Sequence, residues 1–284
     1  MFIVTGTKRS GTSMWMQILR SAGIPIHGEA FPRDWGDVIH AANPEGFYES
    51  SFRAGINFRT NPHPKTGEYV NHIDSRGTAV KVFVPGLVRS DMAFIEKVVI
   101  TMRDWREYDG SLKRLYAMER ANRPGAQELP PMPHVDPTVE WWSETYALLS
   151  DALTRRYPFH MVAYETTLSD PAAVIPETLE WLGVGDVDAA LAAVKPALRS
   201  HDRTVNENPV VESSLAEVLD ELYARVRDRR GLDDAFVDRL NATHEALMPR
   251  IVEEMKRVRE AQKERRVAAE VRAAKMTAAA EGES

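Results

Sequence analysis

The sequence predicts a doubly wound α/β fold, a parallel sheet with helices on both faces, followed by a helical C-terminal extension. Two observations carry this. Four runs of strand length, 2–5, 79–84, 97–102 and 159–163, are largely apolar without the alternation of a half-exposed strand, and so read as strands buried on both faces. Each is followed by a helix-like segment, and strand-helix alternation builds parallel sheets through right-handed crossovers. In such sheets the ligand lies at the carboxyl ends of the strands.

The first run, Phe2-Ile3-Val4-Thr5, passes directly into Gly6-Thr7-Lys8-Arg9-Ser10-Gly11-Thr12-Ser13 and then into a helix with Trp15, Ile18, Leu19 and Ala22 on one face. Gly23, with Pro25 shortly after, marks its end. Residues 27–78 are rich in turn formers such as Asn43-Pro44-Glu45-Gly46 and Asn61-Pro62-His63-Pro64, and read as loops and short helices shaping a pocket. Pro85-Gly86 closes the second strand, and a helix from about Trp105 to Arg120 follows the third. Arg123-Pro124-Gly125 opens a proline-rich stretch to Pro137, of a length typical of lids or disordered segments. From Val139 a helix carries Trp142, Tyr146, Leu149 and Leu153 on one face, and Pro158 ends it before the fourth strand. Asp170-Pro171 supplies a cap and a first-turn proline for a helix that closes at Gly183.

From about Ser214 the chain reads as helical, with a break at Arg230-Gly231-Leu232. A long helix then repeats Val237, Leu240, His244, Leu247, Ile251, Met255 and Val258 at 3-4 spacing. That stripe suits packing on the domain or a homodimer formed through a coiled coil, and both stay open. The last ~20 residues are expected to fray. The expected organisation is an α/β domain over 1–212 and a helical extension over 213–284.

Composition narrows the function. A length of 284 residues with 43% apolar side chains supports an ordinary core, and a net charge of −6 gives no global attraction to nucleic acid or anionic membrane. An anion site must therefore be local. The absence of cysteine excludes disulfides, thiol nucleophiles and thiolate metal sites, and the eight histidines show no ligand-pair spacing, so no metal is expected. No apolar run approaches the ~18 residues of a spanning helix and the chain opens on a strand. A soluble cytoplasmic protein with a small-molecule partner is the expectation.

The first loop concentrates the chemistry. A strand that ends in a glycine-bounded turn and feeds a helix aims backbone N–H groups and the positive end of a helix dipole at one point, which suits a phosphate. The nucleotide-hydrolase pattern G-x-x-x-x-G-K-[ST] would put lysine after Gly11, where Thr12 stands; the cations Lys8 and Arg9 lie inside the loop instead. Two further features are weak one at a time: Arg103 after the third strand with Ser111 in the following helix, and Tyr164-Glu165 after the fourth.

Taken together they resemble the sulfotransferases that use 3′-phosphoadenosine 5′-phosphosulfate (PAPS), a branch of the P-loop fold. Arg9-Ser10-Gly11-Thr12-Ser13 is similar to that family's 5′-phosphosulfate loop, [KR]-S-G-[TS]-[TS], in its bacterial and tyrosylprotein-type form. Arg103 and Ser111, with seven residues between them, match its 3′-phosphate pair in type and spacing. Residues 159–183 resemble its strand, tyrosine-glutamate and proline-started helix, in which the tyrosine lies by the adenine, and Asn43-Pro44-Glu45-Gly46-Phe47-Tyr48-Glu49 is like a segment of many bacterial members. The resemblance covers about residues 1–185. It implies PAPS as co-substrate, bound by Lys8, Arg9, Ser10, Gly11, Thr12, Ser13, Arg103, Ser111 and Tyr164 without a metal, since fixed cations and amides can stabilise the charge that develops on the leaving phosphate.

The acceptor hydroxyl or amine needs a general base. Lys81 matches the family's strand lysine, with a role in charge stabilisation, but Phe83 occupies the place of the catalytic histidine of the cytosolic small-molecule enzymes. Other branches use a glutamate after the first helix in a Gly-Glu context, which Gly28-Glu29 matches; Glu29 is therefore the leading base, with Glu45 and Glu49 in reserve. Trp35, Phe47, Tyr48 and the proline-rich stretch are candidates to line an acceptor pocket. The alternatives are a kinase of the same fold, which should show a Gly-Lys-Ser/Thr loop ending and a metal-binding carboxylate, and a nucleotide-binding module without sulfuryl transfer.

Overall fold

A computed structural model describes residues 1–31, 43–122, 129–195 and 213–282. Trp35, Arg123-Pro124-Gly125 and the expected boundary at 212 lie outside the described residues. Strands β1 (Phe2–Thr5), β2 (Ile26–His27), β3 (Ala79–Lys81), β4 (Lys97–Met102) and β5 (Phe159–Ala163) form one all-parallel sheet in the order β2-β3-β1-β4-β5. The α/β fold class is thus as expected. β1 is central, with Ile3 opposite Val80 on one side and Val98 on the other.

Two details differ from expectation. β2, paired at Ile26 to Ala79, is only two residues long, too short to leave a periodic signal. The second strand stops at Lys81 rather than 84: the Phe83 N–H turns away from the sheet to the Arg53 carbonyl (2.9 Å), and the proline-containing turn α2 (Val84–Leu87) follows.

Helices cover both sheet faces. On one, α1 (Thr12–Ser21), α6 (Pro171–Leu182) and α7 (Val187–Ala192) bury Trp15, Ile18, Leu19, Ile175 and Leu179 against Phe2, Val4 and Val99. On the other, Leu148 and Ala152 of α4 (Pro137–Arg155) meet Ile3, Val80, Val98 and Ile100. Neighbouring strand residues pointing into opposite cores explains why no polar alternation appears. Local signals hold the ends: the Asp136 carboxylate accepts from the Thr138 and Val139 N–H groups, Asp170 caps α6 ahead of Pro171, and Gly183 ends it at φ 80°. The stripe expected on α4 is partly corrected, because Leu153 is exposed while Trp141 and Leu148 are buried.

The remaining described helices are α3 (Trp105–Asn122), α5 (Tyr164–Ser169), α8 (Ser213–Arg227) and α9 (Asp234–Gly282). Leu219, Leu222, Phe236 and Leu240 of the last two share one core with Met102, Trp105, Tyr108, Trp141 and Trp142. The extension therefore packs on the α/β unit, with Tyr146 stacked on His244 (ring centroids 3.8 Å). Met255, expected in the stripe, is exposed. α9 also pins the proline-rich stretch, Arg257 donating to the His134 carbonyl (2.8 Å) and Glu254 accepting from the Asp136 N–H (3.2 Å). Among the described residues no helix is long and apolar enough to cross a membrane.

Candidate anion-binding site

The loop between β1 and α1 is built on two glycines. At Gly6 a Cβ would stand 2.2 Å from the Thr101 carbonyl oxygen, so only glycine lets the loop turn against β4. Gly11, at φ 95°, is the N-cap of α1, and no side chain caps that helix, which leaves its first-turn N–H groups open at the loop's mouth. Tyr164, at the start of α5, lies against Gly11, where a Cβ would come within 2.5 Å of its ring. Gly11→Ala is expected to cost about 1–3 kcal/mol through the positive φ and this clash, read as a lowered urea midpoint.

Ser10 turns inward. Its hydroxyl donates to the Thr7 carbonyl (2.7 Å) and lies 2.8 Å from Thr101 Oγ1, so it locks the loop to β4 rather than facing outward. Lys8 points the other way, its half-exposed ammonium donating to Glu140 on α4 (2.8 Å). Arg9, at φ 63°, reaches inward, and its Nε donates to Ser111 Oγ on α3 (3.3 Å).

Arg103 meets Arg9 there. At the end of β4 and 3% exposed, Arg103 donates through Nη1 to the Arg9 carbonyl and to Ser111 Oγ (both 3.3 Å), and through Nη2 to Glu107 (3.2 Å). Its guanidinium carbon lies 4.8 Å from the centre of the Tyr164 ring. Two guanidinium groups therefore share one serine hydroxyl beside the open end of α1. Burial, then the neighbouring Arg103 charge, lowers the Arg9 pKa from its ordinary value. Two cations, Arg103 buried and Arg9 half-buried, converge here, an arrangement whose charge can be met by an anion.

The other flank of the loop carries Lys81. Its buried ammonium donates to Ser13 Oγ (3.2 Å), the Phe47 carbonyl (3.2 Å) and Glu49 (3.0 Å), with the Phe47 and Phe83 rings 5.8 and 5.7 Å away. Burial lowers its pKa, and Glu49 opposes that shift. The second Glu49 oxygen takes Arg53 (2.9 Å). Glu29 and Glu49 exchange two backbone hydrogen bonds (3.2 Å each), which puts their side chains on the same side of the bridge. Glu29 is exposed, and among the described residues no hydrogen bond or ion pair engages its carboxylate. Glu45 lies apart, paired with Lys195 on the surface (2.8 Å).

The fold thus brings Arg9, Arg103, Ser111, Gly11 and Tyr164 into one cluster and sets Ser13, Lys81, Glu49 and Glu29 on the loop's other flank, while Thr12 begins α1 between them. Lys8, Ser10 and Glu45 point elsewhere. Sequence reasoning missed Thr101, Glu107 and Tyr223, and named Glu165 only beside Tyr164, without a role of its own. Glu107 was within reach, because it stands four residues after Arg103 across a helix start; Tyr223 comes from a helix that carries no motif.

No protein-family model and no curated protein matches the chain. Among solved structures it is similar to sulfotransferase STF1 from Mycobacterium tuberculosis, with 12% identity over 78% of this chain and 76% of that one, at a TM-score of 0.42. It is also similar to the sulfotransferase domain of the Synechococcus olefin synthase, with 14% identity over 86% of this chain and 94% of that one, at a TM-score of 0.41.

Proposed function

We propose that the protein is a sulfotransferase that moves a sulfuryl group from PAPS to a hydroxyl or amine of a small or medium acceptor. The observation that carries the reading is the meeting of Arg9, Arg103 and Ser111 beside the uncapped start of α1. Arg103 Nε makes no hydrogen bond, only a 3.7 Å ion pair with Glu165, so the guanidinium keeps a hydrogen-bond donor in reserve, and a planar fork suits a phosphate oxygen pair. Arg103 and Ser111 would hold the 3′-phosphate. Arg9, the first-turn amides and Ser13 would hold the 5′-phosphosulfate, and Tyr164 would lie by the adenine.

In the transfer, the acceptor oxygen or nitrogen attacks sulfur while the bond from sulfur to the bridging phosphate oxygen breaks, releasing adenosine 3′,5′-bisphosphate. The acceptor proton passes to Glu29. Negative charge gathers on the bridging oxygen, and Lys81, held beside Ser13, is the cation on that flank. Glu49 orients Lys81 and, tied to two cations, is the poorer base.

Calorimetric titration tests the reading. Adenosine 3′,5′-bisphosphate is expected to bind in preference to ATP, with or without magnesium. A preference for ATP that needs magnesium would point to the kinase instead.

A further inference from the structure

The strongest unexplained feature lies behind Arg103. Its Nε and the Glu165 Oε1 atom stand 3.7 Å apart, both buried and both without a hydrogen-bond partner. The charges are within ion-pair reach, but no hydrogen bond joins them. The second carboxylate oxygen of Glu165 accepts the hydroxyl of Tyr223, which comes from α8. α8 is itself fixed at this spot: Asp220, one helical turn earlier, accepts from Trp105 Nε1 (2.8 Å) and from Arg106 (2.8 Å), both in the first turn of α3.

Resting on the anion-site reading above, we infer that Glu165 is an internal competitor for Arg103 and that Tyr223 restrains it, so that the C-terminal helix α8 keeps the guanidinium available to a bound anion. Without the tyrosine hydroxyl, rotation of the carboxylate would tighten this ion pair into a hydrogen bond, because a buried donor and acceptor that lack hydrogen bonds each cost free energy. The carboxylate faces Arg103 at the end of β4, Glu107 on α3 and Tyr223 on α8. Burial pushes the Glu165 carboxyl up to about 7, with Tyr223 and Arg103 acting against the shift and Glu107 with it. Burial also raises the Tyr223 phenol, so it remains a donor at neutral pH. Below about pH 7 Glu165 is neutral and does not compete; above it the carboxylate does. Anion affinity therefore falls as pH rises through that value.

The experiment is titration of the full chain with inorganic sulfate, whose charge is constant near neutrality, and with adenosine 3′,5′-bisphosphate, between about pH 6 and about pH 8.5. At about pH 8, Glu165→Gln is expected to bind both anions about three- to tenfold more tightly than wild type, with the difference closing toward about pH 6. Tyr223→Phe is expected to bind about three- to tenfold more weakly at the higher pH, and the double variant to bind as Glu165→Gln does. A double variant as weak as Tyr223→Phe would make the tyrosine merely structural and overturn the inference. So would a Glu165→Gln protein that is no tighter than wild type at any pH. Wild type that binds sulfate with this pH profile but not the bisphosphate overturns the nucleotide reading alone; binding neither overturns both.

Discussion

Glu29→Gln is expected to lower kcat by about two to four orders of magnitude while leaving adenosine bisphosphate affinity nearly unchanged. The substitution keeps shape and hydrogen bonding and removes only the ability to take the acceptor proton. Glu49 cannot easily substitute, because accepting a proton would cost it both Lys81 and Arg53. Glu49→Gln should act differently: it leaves the buried Lys81 ammonium without its counter-charge and lowers the unfolding midpoint as well as the rate. Rate measurements with labelled PAPS, set beside urea melts of both variants, separate the roles. Full turnover in Glu29→Gln combined with loss in Glu49→Gln would move the base to Glu49.

Arg103→Ala is expected to weaken bisphosphate binding about tenfold to a hundredfold, the loss of charged hydrogen bonds worth ~1.5–3 kcal/mol. The same change removes a cationic partner from Glu107 and from Glu165, so part of the effect will appear as lost stability. Arg103→Lys isolates the binding term. Lysine keeps the charge but replaces the planar fork with a single ammonium, so affinity should still fall severalfold with little change in the urea midpoint. Arg103→Lys binding as tightly as wild type would show that the guanidinium does not hold the 3′-phosphate.

Legibility varied with the range of the interaction. The loop from Gly6 to Ser13 could be read because its needs are local: positive φ at Gly6 and Gly11, a strand before it and a helix after it. Arg103 and Ser111 could be paired because both lie at one strand-to-helix junction. The inward turn of Ser10 could not be foreseen, since its partner Thr101 is 91 positions away on a neighbouring strand. Nor could the opposite directions of Lys8 and Arg9, adjacent residues claimed by Glu140 and Ser111 on different helices.

Apolar runs, glycine positions and cap residues set the α/β class, the element order and the glycine-bounded first loop, because backbone conformation and burial pattern are properties of short stretches of chain. Which cations share the site, and which carboxylates restrain them, was settled by packing. Side-chain direction follows the partner that satisfies a buried charge, and for Arg103 those partners are Glu107, Glu165 and, through Glu165, Tyr223 on a helix more than a hundred positions downstream.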